Sequence, residues 1–211
     1  MRVIAIDGPA GAGKSTVARQ LAHRLGLGYL DTGAMYRAVT FAALRRGIDL
    51  GDVEAVATLA RGCVLEVGDA GVVIDGVDAT AAIRTAEVTS AVSKVAANSG
   101  VRAELRARQR AWASERGGGV IEGRDIGSVV FPDADAKLYL TASPRVRAER
   151  RVAEAGGNVD EIERAIAARD LLDSTRVDSP LTEAAGSTFV DTTGLDIEQV
   201  LDHIFQLLEH A

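Results

Sequence analysis

A glycine-rich segment near the start of the chain limits most strongly what this sequence can fold into. Residues Gly8–Ser15 read G-P-A-G-A-G-K-S and match the phosphate-loop pattern G-x-x-x-x-G-K-[S/T] without a gap. The apolar run Val3–Ile6 precedes them, and apolar residues at helical spacing follow over about residues 14–25. A buried strand, a glycine turn and a helix in this order predict the first unit of a parallel α/β sheet.

The same segment predicts a binding site for a nucleotide polyphosphate. Glycines let the backbone wind closely around a phosphate, and N–H groups at a helix N-terminus attract an anion. Lys14 is expected to reach the β and γ phosphates, Ser15 to bind Mg²⁺, and Thr16 to lie near the α phosphate. The predicted polyphosphate contacts are Gly8, Pro9, Ala10, Gly11, Ala12, Gly13, Lys14, Ser15 and Thr16.

Short apolar runs alternate with helical patterns along the rest of the chain. Five strands of one parallel sheet are expected at residues 3–6, 29–30, 120–121, 136–140 and 188–190. Valine and isoleucine alternate with glycine and aspartate between residues 63 and 79, which predicts a small antiparallel insertion. Helices are expected at about residues 14–25, 34–46, 53–61, 86–97, 101–116, 144–155, 159–173 and 197–208, and the glycines 117–119 are expected to end the fifth of these.

Composition narrows the class of protein. The 211 residues are 47% hydrophobic and 26% charged, which is typical of a globular protein and long enough for a substantial core. The net charge of −6 argues against general nucleic-acid binding, and no apolar run approaches the ~18 residues of a membrane span. The N-terminus lacks the pattern of a leader peptide, and the lone Cys63 excludes an intrachain disulfide. We therefore expect a cytoplasmic protein that binds neither nucleic acid nor membrane.

Two classes of nucleotide-dependent protein compete at this stage. A GTP-dependent switch would carry an Asn-Lys-x-Asp signature, and the sequence contains none. A motor would show four apolar residues before an acid, whereas Val120–Ile121 is followed by Glu122-Gly123-Arg124-Asp125. The motif evidence therefore favours a kinase that transfers a phosphoryl group to a small acceptor.

The arginines indicate what the acceptor is. Of the 24 basic residues 21 are arginine, which reflects either genomic base composition or forks that bind phosphate. Arg37 and Arg124 follow predicted strands, and Arg147, Arg150 and Arg151 precede a glycine break. A phosphate acceptor is already ionised and needs cations, whereas a hydroxyl acceptor needs a base. This pattern favours a nucleoside monophosphate, with hydroxyl kinases of the shikimate type as the alternative.

At this point the sequence resembles a known family. The segments that carry the resemblance are Gly8–Thr16, Asp31–Arg37 (D-T-G-A-M-Y-R), Ile83–Thr85 (I-R-T), Glu122–Gly127 (E-G-R-D-I-G) and Phe131–Ala134 (F-P-D-A). In this order they resemble the bacterial cytidylate kinases over nearly the whole chain. The resemblance implies transfer of the γ-phosphoryl of ATP to CMP or dCMP with Mg²⁺, without a general base, by a monomer.

The resemblance also divides the chain and assigns residues. It implies one kinase domain over 1–211, with a core of 1–50 and 117–211, a monophosphate-binding insertion at about 51–116 and a lid at about 147–176. The implied catalytic residues are Lys14, Arg37, Arg124, Arg147 and Arg150. The implied CMP contacts are Thr32, Arg37, Ser93, Arg102, Arg124, Asp125, Arg169, Asp173 and Arg176.

Each implied CMP contact has a role and some have an alternative. Arg37 and Arg124 resemble the holders of the CMP phosphate, Thr32 and Asp125 the acceptors of the cytosine amino group, and Arg102 and Arg176 the donors to the ring. Ser93, Arg169 and Asp173 resemble the ribose contacts. Asp125 could instead bind Mg²⁺ or water, and residues 169, 173 and 176 share a helical face on which they could form only intrahelical ion pairs. The family often has serine at position 32 and glycine at position 15, so the division of the metal role between Ser15 and Thr16 stays open.

Overall fold

The computed structural model describes all residues except 69, 210 and 211. Its strands are β1 (Arg2–Asp7), β2 (Tyr29–Asp31), β3 (Leu65–Gly68), β4 (Gly71–Ile74), β5 (Val77–Asp78), β6 (Gly118–Glu122), β7 (Ala136–Thr141) and β8 (Thr188–Asp191). Its α-helices are α1 (Lys14–Leu25), α2 (Thr32–Arg45), α3 (Val53–Gly62), α4 (Ala86–Ala96), α5 (Ser99–Arg116), α6 (Pro144–Ala155), α7 (Val159–Thr175) and α8 (Ile197–Glu209). None of the helices in this described part is both long and apolar enough to cross a bilayer.

The five-stranded parallel sheet is confirmed. Its order is β2-β6-β1-β7-β8, and Ile4 of the central strand is in register with Val120 on one side and Ala136 on the other. Alternate residues of β1 enter different cores: Val3 packs with α2 and α5, whereas Ile4 packs with α1 and α8. Helices therefore cover both faces of the sheet, as its continuous apolar strands require.

The antiparallel insertion is also confirmed, as β3, β4 and β5. Asp75 and Gly76 form a two-residue turn between β4 and β5, with φ angles of 50° and 75°. Two positive φ angles are typical of the hairpin turns that aspartate-glycine favours. The other predicted turn of this insertion includes residue 69, which lies outside the described residues.

Several helix boundaries differ from the sequence prediction because side chains cap the first turns. The second helix was predicted from residue 34 but begins at Thr32, because the Asp31 carboxylate accepts the N–H of Ala34 at 2.9 Å. The fifth begins at Ser99 and not at Val101, because Asn98 caps it. Helix α7 extends two residues beyond its predicted end at Asp173.

Two of the three glycines predicted to end α5 belong instead to β6. Gly117 caps the helix with a φ of 71°, but Gly118 and Gly119 lie in the strand. A Cβ on Gly118 would lie 2.0 Å from the Arg2 carbonyl oxygen, and one on Gly119 would lie 2.6 Å from the Trp112 ring. The strand passes so close to its neighbours that only glycine fits.

This contrast predicts the cost of two substitutions. Gly117→Ala meets no atom within 4 Å and should lower the free energy of unfolding by about 1 kcal/mol, for its positive φ alone. Gly118→Ala also collides with the backbone of β1 and should cost at least about 3 kcal/mol. Urea unfolding of the two variants measures the difference, and equal losses would contradict the account of β6.

Candidate active site

The phosphate loop, Gly8–Ser15, connects the end of β1 to the start of α1. A Cβ on Gly8 would lie 1.9 Å from the Leu140 carbonyl oxygen, so the loop begins where no side chain fits. The half-buried Lys14 turns back over the loop, and its Nζ donates to the Pro9 carbonyl at 2.8 Å. Desolvation by burial and then the nearby Arg124 lower the pKa of Lys14 to about 7. A polyphosphate would restore its charge.

Glu122 is the last residue of β6 and lies at the bottom of the site. It is buried, and it accepts hydrogen bonds from the Tyr29 hydroxyl at 2.6 Å and from the Ser15 hydroxyl. Burial raises its pKa, and Asp31 raises it further, whereas Lys14 and the two hydroxyls lower it. No role for Glu122 was predicted from the sequence. The signal available was its position as the acid that directly ends a buried strand of a phosphate-loop protein.

Asp7 holds the segment after β6 in place. Its carboxylate accepts the backbone N–H groups of Ile126 at 2.8 Å and Gly127 at 2.7 Å, which begin the π-helical turn Ile126–Val130. Burial raises the pKa of Asp7 to about 6 although these two hydrogen bonds lower it. Neither this role of Asp7 nor the turn was predicted from the sequence, because the contact joins positions about 120 residues apart.

Three predicted CMP contacts form one buried ion network. Arg102 of α5 donates to Asp125 at 2.5 Å, and Arg176 lies 3.6 Å from the other oxygen of the same carboxylate. The Arg102 guanidinium also lies over the Tyr36 ring, 5.4 Å from its centre. A buried charge is tolerated only when it is paired, and Asp125 supplies the partner for both arginines.

A second network joins the loop after β6 to α7. Arg124 lies 3.0 Å from Asp173, which also lies 3.9 Å from Arg176 and 4.0 Å from Arg169. The intrahelical pairs within residues 169–176 that the spacing allowed are therefore present. The ion pair with Arg124, from a different element, means that the helix face is not simply a solvated ladder.

Several guanidinium N–H groups of these networks are buried without a hydrogen-bond partner in the described part of the chain. They are Arg102 Nε, Arg169 Nε and Arg176 Nη2. Burial of an unpaired donor is costly. Each of the three nitrogens still lies near a carboxylate: Arg102 Nε is 3.7 Å from Asp178, Arg169 Nε is 4.0 Å from Asp173 and Arg176 Nη2 is 3.6 Å from Asp125. These N–H groups are therefore ion-paired but available to donate a hydrogen bond to a polar ligand.

The remaining predicted contacts lie on the insertion and at the start of α2. Arg37 donates to the Ile83 carbonyl and to the Thr89 hydroxyl, both at 2.9 Å. The Thr32 hydroxyl donates to the Glu122 carbonyl at 2.6 Å, which leaves its oxygen able to accept. Ser93 lies half-buried on α4, the helix that packs against α7. These residues do not enter the ion networks around Asp125.

Positive charge accumulates around Arg124. Burial and then the positive charge of Arg151 lower the pKa of Arg37 to about 10, although Asp31 raises it. Arg169 behaves in the same way, with a pKa lowered to about 10 by burial and then by Arg124 and Arg37. Cations that disfavour one another in this way would be stabilised by an anionic ligand.

The three arginines of α6 have different surroundings. Arg147 Nη1 donates to the Ala10 carbonyl at 3.0 Å and to Asp170 at 2.5 Å. Arg150 donates to the hydroxyl and the carbonyl of Thr192, and a Cβ on Gly13 would lie 3.7 Å from its guanidinium. Arg151 pairs at the surface with Glu154. Arg147 and Arg150, but not Arg151, therefore lie against the phosphate loop.

Comparison with known proteins identifies the family. The family model described as cytidylate kinase matches residues 4–210. The chain belongs to the cytidylate kinase family. It is 46% identical to a cytidylate kinase of Solibacter usitatus and 50% identical to one of Limosilactobacillus fermentum, over 98% of this chain and 91% and 95% of the relatives. A bifunctional pantoate ligase/cytidylate kinase of Trichormus variabilis is 50% identical over 96% of this chain, which spans 40% of that protein.

Solved structures agree with the fold. The chain resembles TT1252 from Thermus thermophilus with a TM-score of 0.55 and 18% identity, over 99% of this chain and 96% of the other. It resembles shikimate kinase from Acinetobacter baumannii with a TM-score of 0.52 and 16% identity, over 100% and 94%. At these identities the likeness establishes the fold alone. The α/β class with a five-stranded parallel sheet is confirmed.

The raised pKa of Asp7 predicts a dependence of stability on pH. Its folded pKa of about 6 exceeds the unfolded value of 3.8, so the folded chain binds the proton more tightly. The contribution of Asp7 to stability is therefore present at acid pH and is lost as pH rises through 6. The Asp7→Asn variant is the reference, because asparagine does not titrate. The free energy of unfolding of the unsubstituted chain, measured relative to this variant, should fall by about 2–3 kcal/mol between pH 4 and pH 7. A difference that stays constant over this range in urea titrations would contradict it.

Proposed function

We propose that this protein transfers the γ-phosphoryl group of ATP to CMP or dCMP and so forms ADP and CDP or dCDP. The observation that carries the proposal is a set of buried guanidinium N–H groups, in Arg102, Arg169 and Arg176, that have no hydrogen-bond partner in the described part of the chain although each lies near a carboxylate. Membership of the cytidylate kinase family supports the choice of nucleotide. The reaction needs two nucleotides side by side, and the site has a cationic region for each.

The donor nucleotide is proposed to bind at Gly8–Thr16. The backbone N–H groups of the loop and the N-terminus of α1 hold the polyphosphate, and Lys14 contacts its β and γ phosphates. Arg147 and Arg150 approach the loop from α6, where they would stabilise the charge that develops on the transferred group. These three cations, with Arg37 and Arg124, are the proposed catalytic residues.

Mg²⁺ fits the donor side of this site. Mg²⁺ usually retains waters and is held by substrate phosphates with one or two protein groups, so a dedicated cage of side chains is not required. In the described residues no three carboxylate, histidine or cysteine side chains form such a cage. Ser15 would bind the ion, because its hydroxyl already lies beside the buried Glu122, which would accept from the coordinated waters. The ion would neutralise charge on the phosphates.

The acceptor phosphate is proposed to bind Arg37 and Arg124. The phosphate oxygen of CMP is already ionised at neutral pH, so the chain needs no base to activate it. Its task is to hold two polyanions close together, which the arginines do by charge and by hydrogen bonding. Ser93, Arg169 and Asp173 are the proposed ribose contacts.

The cytosine ring is proposed to bind between Thr32, Asp125, Arg102 and Arg176. Asp125 and Thr32 would accept from the amino group of cytosine, and the arginines would donate to the ring carbonyl and nitrogen. Uracil presents a carbonyl where cytosine has its amino group, and this oxygen would face the carboxylate unpaired. The arginine pairing of Asp125 supports this role over the alternative of a Mg²⁺ ligand, because both of its oxygens are already directed at guanidinium groups.

The proposal also covers the oligomeric state, the location and the partners of the enzyme. We expect a monomer in the cytoplasm that acts on small nucleotides and binds neither nucleic acid nor membrane. The net charge of −6 supports this expectation, because a nucleic-acid-binding domain carries an excess of positive charge.

An assay of ADP release tests the reaction. The purified chain with Mg²⁺ and ATP is offered CMP, dCMP, UMP, AMP and shikimate in turn. CMP or dCMP should give a kcat/KM at least about 100-fold above UMP, AMP and shikimate, since a buried polar contact can discriminate by this factor or more. Lys14→Met serves as the inactive control. Turnover of shikimate above that of CMP would replace the proposal with the hydroxyl-kinase alternative.

Substitution of Asp125 tests how the base is chosen. Asp125→Ala should lower the ratio of kcat/KM for CMP to that for UMP by about tenfold or more, because the acceptor for the amino group is gone. Asp125→Asn is a second variant that removes the carboxylate charge but leaves Arg102 an amide oxygen as its hydrogen-bond partner, so that Arg102 is not left buried without one. Asp178→Asn, which removes a carboxylate 3.7 Å from Arg102, should leave the ratio unchanged. Unaltered discrimination in both Asp125 variants would remove this residue from the base site.

A further inference from the structure

A carboxylate of α7 lies on the phosphate loop. Asp170 Oδ1 accepts the backbone N–H of Ala10 at 3.3 Å, and its Oδ2 accepts from Arg147 Nη1 at 2.5 Å. The same Arg147 nitrogen donates to the Ala10 carbonyl at 3.0 Å, so the three residues form a closed set of contacts. The pair is largely withdrawn from solvent, with 8% of the Arg147 side chain and 19% of the Asp170 side chain exposed.

The donors that Asp170 occupies are those expected to serve a phosphate. The Ala10 N–H belongs to the loop that binds the polyphosphate. Lys14, whose side chain reaches β and γ phosphates in loops of this type, lies on the Pro9 carbonyl at 2.8 Å. Because the Lys14 ammonium group lies at the Pro9 carbonyl, we infer that the Pro9–Ala10 end of the loop is the end nearest the terminal phosphate of a bound nucleotide. A carboxylate bound there by a backbone N–H and by one guanidinium N–H resembles a phosphate in charge and in hydrogen bonding.

The position of the Arg147 side chain does not depend on Asp170 alone. Its Nε donates to the Ala142 carbonyl at 3.0 Å, and a Cβ on Gly11 would lie 3.0 Å from the Arg147 Cβ. The base of this side chain is thus fixed against the loop, whether or not Asp170 is in contact. Only the carboxylate of Asp170 has to leave for an anionic ligand to reach the fork.

We propose that Asp170 competes with the terminal phosphate of ATP for the Ala10 N–H and for Arg147, and so sets the relative affinity for ATP and ADP. This inference rests on the proposed function, because it takes the ligand of the loop to be ATP. Two anions cannot share the same donors without strong repulsion. ATP must displace the carboxylate, whereas ADP lacks the phosphate that would compete with it.

The competition has a consequence for turnover. When the γ-phosphoryl group has moved to the acceptor, the loop holds ADP, and Asp170 can return to the Ala10 N–H and Arg147. The carboxylate then replaces the interactions that the phosphoryl group has left, so the donors are not exposed unpaired. Asp170 therefore weakens the binding of ATP and not that of ADP.

Calorimetric titration with ATP and with ADP, each with Mg²⁺ and without acceptor, tests the inference. Asp170→Asn should bind ATP about tenfold more tightly and change ADP affinity by less than about threefold, because only ATP loses a competitor that is charged. Asp160→Asn is the matched control. Asp160 is an exposed carboxylate on the same helix whose partner is the surface residue Arg145. The control should change both affinities by less than about twofold, since surface charges are screened.

Three results would overturn the inference. One is an unchanged ratio of the ADP and ATP dissociation constants in Asp170→Asn. Another is weaker ATP binding, which would mean that Asp170 only orients Arg147. The third is an equal shift in the Asp160→Asn control. Asp170→Ala must move the ratio in the same direction, and thermal unfolding of each variant shows whether it is folded. Because the titrations contain no acceptor, a failure here is distinct from a failure of the phosphoryl-transfer assay.

Discussion

The pairing of carboxylates with cations at the carboxyl edge of the sheet is the constraint on which the rest of the structure depends. The parallel strands β1, β2 and β6 end together, and each brings an acid to that edge: Asp7, Asp31 and Glu122. Ionised groups lose hydration there and are stable only with partners. Asp7 accepts hydrogen bonds from two backbone N–H groups. Glu122 accepts hydrogen bonds from two hydroxyl groups and is stabilised by the positive charge of Lys14. These partners fix the loops that the proposed chemistry uses.

The arginines obey the same constraint on both sides of the proposed reaction. On the acceptor side Arg102 pairs with Asp125 and Arg124 with Asp173. On the donor side Arg147 pairs with Asp170. Without these carboxylates the cations would repel one another across a small volume. A ligand phosphate can take over such a partner's place, so the charges that preserve the fold also prepare the site for polyanions.

Much of the fold could be predicted because its signals are local. Apolar runs closed by polar turns located all five parallel strands, and the alternation of apolar residues with glycine and aspartate over residues 63–79 located the antiparallel insertion. The missing features depend on contacts across the chain. The π-helical turn Ile126–Val130 forms because Asp7 accepts its first N–H groups, and no local pattern encodes that bond. The role of Asp170 was missed for the same reason, since its partners come from other elements. Glu122 differs, because its position as the acid that ends a buried strand was a local signal. The site residues carried over from the family stay predictions, although the buried N–H groups without a hydrogen-bond partner favour three of them.

A crystal structure of the chain with ADP, Mg²⁺ and CMP would examine the two-nucleotide site most directly. The account predicts the cytosine ring within hydrogen-bond distance of Asp125 and of the free guanidinium donors of Arg102 and Arg176. It also predicts the CMP phosphate between Arg37 and Arg124, facing the phosphate loop. A CMP molecule bound elsewhere, with those donors still unpaired or joined only to water, would contradict it.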